Sequence, residues 1–367
     1  MLVRFPGIRE GGWPPLDRQP IGPDSGLRVH LVIIGFDTYA RALALNAALI
    51  AHYPNFRPED DRPLRSRITF ICNDDGKWPD QFIGQYTPLF DNSFWQEVEA
   101  ETGITQYHYP MCHGKRQAFT DVEWAFVHAD PVSRFVQEKL TAWAADPQSQ
   151  LTIAISLGSN RNNLHCARQL PESLRNAGIP LLPRLEASST GLSPDMTQLL
   201  REMGKEVNSL YAGSSGLSVP GVFPSVCNVM HIPTKLRSLG HDGQHPESFY
   251  TLSEAEARLM TRTEHYRWCM ARLVAGDRPC TDAERKAVRE NIEQILEARR
   301  SGLVPPEDLK ARLKQLEGAH YDLCSFDELG LDAAGNDVRN YDYDVVAGIP
   351  QIVSRFIGNG IQAPEKS

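Results

Sequence analysis

No stretch of the chain approaches the roughly 18 consecutive apolar residues that cross a bilayer. The longest apolar runs, at residues 31–34 and 151–157, have the length of strands. Residues 1–26 are rich in Pro and Gly and lack the apolar segment of a secretion signal. Cysteine forms no C-x-x-C pair. The seven thiols (Cys72, Cys112, Cys166, Cys227, Cys269, Cys280 and Cys324) are scattered and odd in number, which fits reduced cytosolic cysteines and not a disulfide framework. Positive charge is in deficit. A net charge of −8, spread along the chain, argues against a nucleic-acid partner. Also absent are G-x-S-x-G, H-E-x-x-H, a P-loop and an S-x-x-x-Y-x-x-x-K pattern, so no local motif supports catalysis. These absences predict a soluble, cytoplasmic chain. Any membrane-spanning part would lie upstream in a longer protein or on a separate partner.

What is present is a chain of 367 residues, 41% hydrophobic, enough for one large domain or two ordinary ones. Residues 1–27 read as a loose arm, because Pro14, Pro15, Pro20 and Pro23 bar helix and favour extended backbone. At 29–34, V-H-L-V-I-I is a β-branched run of the kind buried on both faces of a parallel sheet. A turn at Gly35 follows, then an Ala/Leu-rich helix over 40–53 that Pro54 stops. Residues 67–72, 151–157 and 179–185 read as further strands. Residues 120–129, 133–145, 164–176 and 194–203 read as helices. The segment 77–114 does not parse, and 213–233 reads as loop. Alternating strands and helices predict an α/β fold, a Rossmann-like parallel-sheet domain over 28–250. Beyond it the composition changes. Ser253 and Glu256 form a capping box for a helix over 253–275. Val288, Ile292 and Ile295 make one apolar stripe, and Leu309, Leu313 and Leu316 another, with Pro305 and Pro306 between them. A small, mainly helical domain is therefore predicted over 251–361, with a charged helical hairpin inserted at 282–318.

A strand, a glycine turn and a helix place backbone N–H groups and a helix N-terminus at the carboxyl edge of a sheet, where anions and nucleotides bind. The six positions of a G-x-G-x-x-G/A fingerprint fall on Gly35, Phe36, Asp37, Thr38, Tyr39 and Ala40. Asp37 stands where a second glycine lets pyrophosphate approach, and it adds bulk and like charge there. Asp74 and Asp75 end the second strand, where a ribose-binding acid sits, although farther from Gly35 than the fingerprint's roughly 20 residues. They serve equally well as a turn with Gly76. Ser156, Gly158 and Asn160 follow another strand and line the same edge, as ligand contacts or as a polar loop. The candidate nucleotide contacts are thus Gly35, Phe36, Asp37, Thr38, Asp74, Asp75, Ser156, Gly158 and Asn160. His108, Cys112 and His113 share a segment without the second ligand pair of a metal site. No metal is expected, and no residue is assigned to catalysis.

The run V-H-L-V-I-I-G-F-D-T-Y-A-R-A-L-A-L at 29–45 resembles the nucleotide-binding domain of potassium-channel regulators and Trk-type transport proteins, which begin h-h-h-h-G-F-G-x-x-G-x-x-h-A. That resemblance implies a ligand such as NAD, ATP, ADP or a related nucleotide, and assembly as dimers or rings. The run E-H-Y-R-W-C-M-A-R-L-V-A-G at 264–276 precedes D-L-C-S-F-D-E-L at 322–329, R-N-Y-D at 339–342 and Ile349 with Pro350. Together these resemble a bacterial RyR domain, the small helical module named after the ryanodine receptor. Within it, His265, Trp268, Phe326 and Tyr341 would form an aromatic ligand cage, with Arg267, Arg272 or Arg339 supplying charge. Trp268 and Phe326 fit a plain core equally well. Bacterial chains that join these two parts resemble sensors, some attached to ion channels and some in immune signalling. The expectation is a non-catalytic, homo-oligomeric sensor of a nucleotide or nucleotide-derived signal, acting on a channel or immune effector at the inner face of the membrane. The alternatives are a NAD(P)-dependent oxidoreductase or nucleotide-processing enzyme, and a scaffold whose degenerate nucleotide fold is a dimer surface.

Overall fold

A computed structural model describes residues 14–60, 63–73, 78–110, 119–185, 194–215, 223–241 and 251–358. The chain runs through β1 (Arg28–Ile34), α1 (Thr38–Ala48), β2 (Ser66–Cys72), α2 (Trp78–Gln85), α3 (Thr87–Asp91), β3 (Trp95–Glu99), β4 (Thr105–His108) and β5 (Val122–His128). It continues through α4 (Arg134–Ala145), β6 (Ser149–Ile155), α5 (Asn160–Gln169), α6 (Glu172–Asn176) and β7 (Leu181–Pro183). These seven strands form one sheet in the order β4-β3-β5-β2-β1-β6-β7, parallel throughout except for the β3–β4 hairpin. The chain builds outward from β1 to β2 and β5, then returns to the other side of β1 with β6 and β7. This is the doubly wound order, in which the direction of growth reverses beside the first strand. The fold is α/β.

Alternation along each strand sends side chains to two separate cores. Val29, Leu31 and Ile33 of β1, Ile68 and Phe70 of β2, and Val122, Trp124 and Phe126 of β5 enter one core with α1, α2 and α3. Val32, Ile34, Ile71 and Val127 enter the other, under Val136 and Leu140 of α4 and Cys166 of α5. Continuous apolar strands follow from burial on both faces.

The rest of the chain is helical: α7 (Pro194–Ser215), α8 (Phe223–Ser238), α9 (Glu254–Val274), α10 (Asp282–Arg300), α11 (Leu309–Glu317), a single 3₁₀ turn at Phe326–Glu328, α12 (Arg339–Ala347) and α13 (Ile349–Val353). The α9 capping box of Ser253 and Glu256 is formed. Two short strands, β8 (Arg278–Pro279) and β9 (Ala319–His320), pair in parallel and close the base of the α10–α11 hairpin. Helices α7, α8, α9, α12 and α13 share an apolar core. Tyr266, Cys269, Met270 and Leu273 of α9 lie in the same core as β1 and β2. No helix among the described residues is long and apolar enough to cross a membrane.

Four expectations require correction. The helix expected at 120–129 is strand β5, because Val122, Trp124 and Phe126 face one core and Val127 the other, a period of two. The loop expected at 213–233 contains the start of α8, which packs against α7 and α9 and accommodates Pro233 within it. The helix expected at 164–176 is split into α5 and α6 at Pro171. The arm is not loose over its described part: Leu16 and Ile21 are buried, and the Asp17 carboxylate accepts two bonds of 2.7 Å from Arg237. The unparsed segment holds α2, α3 and the β3–β4 hairpin.

Candidate functional site

The candidate site lies where β1 and β6 run side by side and the helices that follow them, α1 and α5, pack in different cores. Gly35 follows β1, and its N–H donates to the Ile71 carbonyl at 2.8 Å. It has φ of +109°, and an added Cβ would lie 1.9 Å from the Ser156 carbonyl oxygen. Glycine is therefore required here by the backbone of the neighbouring strand end.

Asp37 is the N-cap of α1, and its Oδ1 accepts from the Ala40 N–H at 2.8 Å. The Ser156 hydroxyl lies 2.9 and 2.8 Å from the two carboxylate oxygens. The Arg184 guanidinium, just beyond β7, reaches Oδ2 at 3.3 Å while stacking 4.7 Å from the Tyr39 ring centre. The carboxylate thus takes the position an anion takes at a helix N-terminus, and ties together the ends of β1, β6 and β7. Buried Asn163 closes the same corner. Its Oδ1 accepts from the Leu157 N–H at 2.6 Å, and its Nδ2 donates to the Arg184 carbonyl at 2.7 Å.

The remaining candidates occupy distinct roles. Phe36 turns into the core, with its ring 4.4 Å from Trp78 and 4.9 Å from Phe70. The Thr38 hydroxyl accepts from Arg41 at 3.4 Å. Gly158 has φ of +78° and open space around it, and Asn160 is the first residue of α5 beside the Ser159 N-cap. Asp74 and Asp75, and also Cys112 and His113, lie outside the described residues. His108 stacks on Trp95 at 4.8 Å. The structure therefore brings Gly35, Asp37 and Ser156 together, with Gly158 and Asn160 on the adjoining loop, and places Phe36 behind them. Arg184, Tyr39 and Asn163 complete the corner and were not anticipated. Arg184 had one usable signal, its place near the end of the strand read over 179–185.

In the helical part, His265 stacks on Trp268 at 5.9 Å and meets Phe326 edge-on at the same distance. Arg262 and Arg339 lie 5.3 and 5.7 Å from the Phe326 ring centre. The Tyr341 hydroxyl donates to Asp332 instead of turning toward His265. His265 is buried, and its Nε2 lies 2.9 Å from the Cys324 carbonyl, 3.5 Å from Cys269 Sγ, with Nδ1 3.4 Å from Asp342. Burial opposes charge on the ring, but the groups facing both nitrogens raise His265 well above its ordinary value. Burial also pushes the Cys269 thiol up. This Cys–His–Asp set is sealed from solvent and links α9 to α12 and to the Cys324 backbone.

No three or more His, Cys, Asp or Glu side chains cluster as metal ligands among the described residues. Comparison with protein families, with curated proteins and with solved structures finds no match to this chain.

Proposed function

We propose that the chain is a non-catalytic ligand sensor, a Rossmann-like nucleotide domain of the Trk type joined to an RyR-like helical module. It takes a nucleotide-type ligand at the crevice between β1 and β6. The observation that carries this reading is the bridge of Asp37 to Ser156 and Arg184 at the reversal point of the sheet. Doubly wound sheets bind nucleotides at this point. Both ends of the ion pair are about one-third exposed, at 33% and 28%, so a ligand reaches them. A phosphate draws Arg184 away from Asp37, and the freed carboxylate accepts ribose hydroxyls. The exchange loosens the tie between three strand ends, which is the differential contact a switch requires. The signal passes to the helical module through α9, and the module acts on a channel or effector partner, with homo-oligomers as the working form.

A second reading is favoured by the same carboxylate. A self-filled anion seat suits a scaffold whose nucleotide fold no longer takes a ligand. Thermal unfolding in the presence of NAD, ATP, ADP and cyclic nucleotides separates the two. A sensor gains about 2.7 kcal/mol of stability when ligand stands at 100 Kd. Failure of every nucleotide to raise Tm would leave the scaffold. Conversion of a stabilising nucleotide to product would make the chain an enzyme.

A further inference from the structure

The geometry points to a second ligand site, a basic cleft on the α10 hairpin that takes a small phosphate monoester with a hydroxylated body, such as a nucleoside monophosphate or a sugar phosphate. The cleft measures about 330 Å³ and is lined by Asp282, Arg285, Lys286 and Arg289 of α10 and by Glu328 of the 3₁₀ turn. None of these residues belongs to the crevice between β1 and β6. The four α10 positions are spaced three, four and seven apart, which puts them on one helical face. This volume lies at the small end of ligand pockets, the size of a mononucleotide and too small for a dinucleotide.

The cations differ in how they are held, and that difference makes the cleft more than a solvated helix face. Arg285 is only 6% exposed. Its Nη1 donates to the Tyr321 carbonyl at 2.9 Å, and its guanidinium lies 4.9 Å from the Tyr321 ring centre. A guanidinium has five N–H donors in a rigid fork; the Tyr321 carbonyl takes one, Cys324 and Glu328 also lie against the group, and Arg285 lines the cleft. Lys286 and Arg289 are exposed at the rim, and the Lys286 amine is only loosely held, 3.9 Å from Glu290. A fixed fork on the floor and two exposed cations above it suit a dianionic phosphate, which binds charge-assisted donors best. Asp282 and Glu328, the latter also accepting from the Ser325 N–H at 3.1 Å, place carboxylates on the lining and disfavour a ligand that is anionic along its whole length. The β8–β9 ladder and the bond from the Arg278 N–H to the Gly318 carbonyl at 2.9 Å root the hairpin in the module. Occupancy of the cleft therefore bears on the same 3₁₀ turn whose Phe326 touches His265.

The test is equilibrium dialysis of the full chain against labelled AMP, with ribose 5-phosphate, inorganic phosphate and adenosine as competitors. AMP and ribose 5-phosphate compete, while adenosine does not and inorganic phosphate competes at least tenfold more weakly. Lys286→Ala with Arg289→Ala, both exposed and so harmless to folding, weakens AMP binding at least tenfold. NAD, too large for the cleft, does not displace AMP, which separates this site from the sheet crevice. Absence of AMP binding, or binding untouched by the double variant, overturns the proposal. So does competition by inorganic phosphate as strong as that of the monoesters, or displacement of AMP by NAD.

Discussion

A methyl group added at Gly35 would lie 1.9 Å from the Ser156 carbonyl oxygen, on backbone with φ of +109°. Gly35→Ala must therefore strain its own backbone and part β1 from β6. A loss of about 3 kcal/mol is expected in urea unfolding, and a loss below about 1 kcal/mol would mean that the loop after β6 yields freely. Asp37 separates capping from ligand exclusion. Asp37→Ala removes the α1 cap and costs about 1 kcal/mol, whereas Asp37→Asn retains the cap and costs less. Asp37→Gly frees the seat at the helix N-terminus, so ADP or NAD binding measured by calorimetry is expected to strengthen. Unchanged affinity would place the nucleotide elsewhere. The misfit of Asp37 with a pyrophosphate was legible in sequence, because side-chain bulk and charge are local properties. Its partners Ser156 and Arg184 stand 119 and 147 residues away, and only the strand order brings them to one corner.

Helices α8 and α9 meet over a buried charge cluster. Glu264 accepts from Arg267 at 2.6 Å and stands 2.7 Å from the Lys235 amine, with all three side chains sealed from solvent. Burial alone would raise Glu264, but Arg267 and Lys235 hold it down at about 2. Burial lowers Lys235 to about 8 despite that carboxylate. Glu264→Gln leaves two cations facing an amide, and a loss of about 3–5 kcal/mol is expected. Because the folded carboxylate titrates below its ordinary 4.5, its contribution is present above that value and fades as pH falls toward 2. Urea midpoints of the wild type and Glu264→Gln should therefore converge across that window, and a constant gap would assign the cluster no electrostatic role. At this scale the sequence was partly readable. Strand β1, the Gly35 turn and the α9 capping box were evident because each signal is short-range. Strand β5 was misread because Trp124, Ala125 and Phe126 fit either period until the sheet chooses one. Helix α8 was missed because Pro224 and Pro233 read as breakers, while its stability comes from the helices around it.

Across the whole molecule the imidazoles dominate the response to mild acid. Burial pushes His30, His231 and His320 well below the ordinary value of 6.5. These rings stay neutral in the folded chain while the unfolded chain takes up protons. Stability should therefore fall as pH drops from about 6.5 toward their folded values. His265 acts in the opposite sense, since its raised pKa favours the folded state below 6.5 and that gain is lost as pH rises through the folded value. With three such rings against one among the described residues, the urea midpoint is expected to decrease between pH 7 and pH 5. A constant or rising midpoint would show that His265 outweighs the others.

The Tyr266 ring of α9 meets the Phe56 ring edge-on at 5.0 Å, inside the core that also holds Leu43, Ile68 and Phe70. This contact bears on how such a chain is inherited. Modules joined by a linker are exchanged whole by recombination, each carrying a finished surface. Here a recombinant that moved the C-terminal helices to another sheet would carry Tyr266, Met270 and Leu273 away from the side chains that receive them. Each half therefore depends on the other's side chains to complete this core.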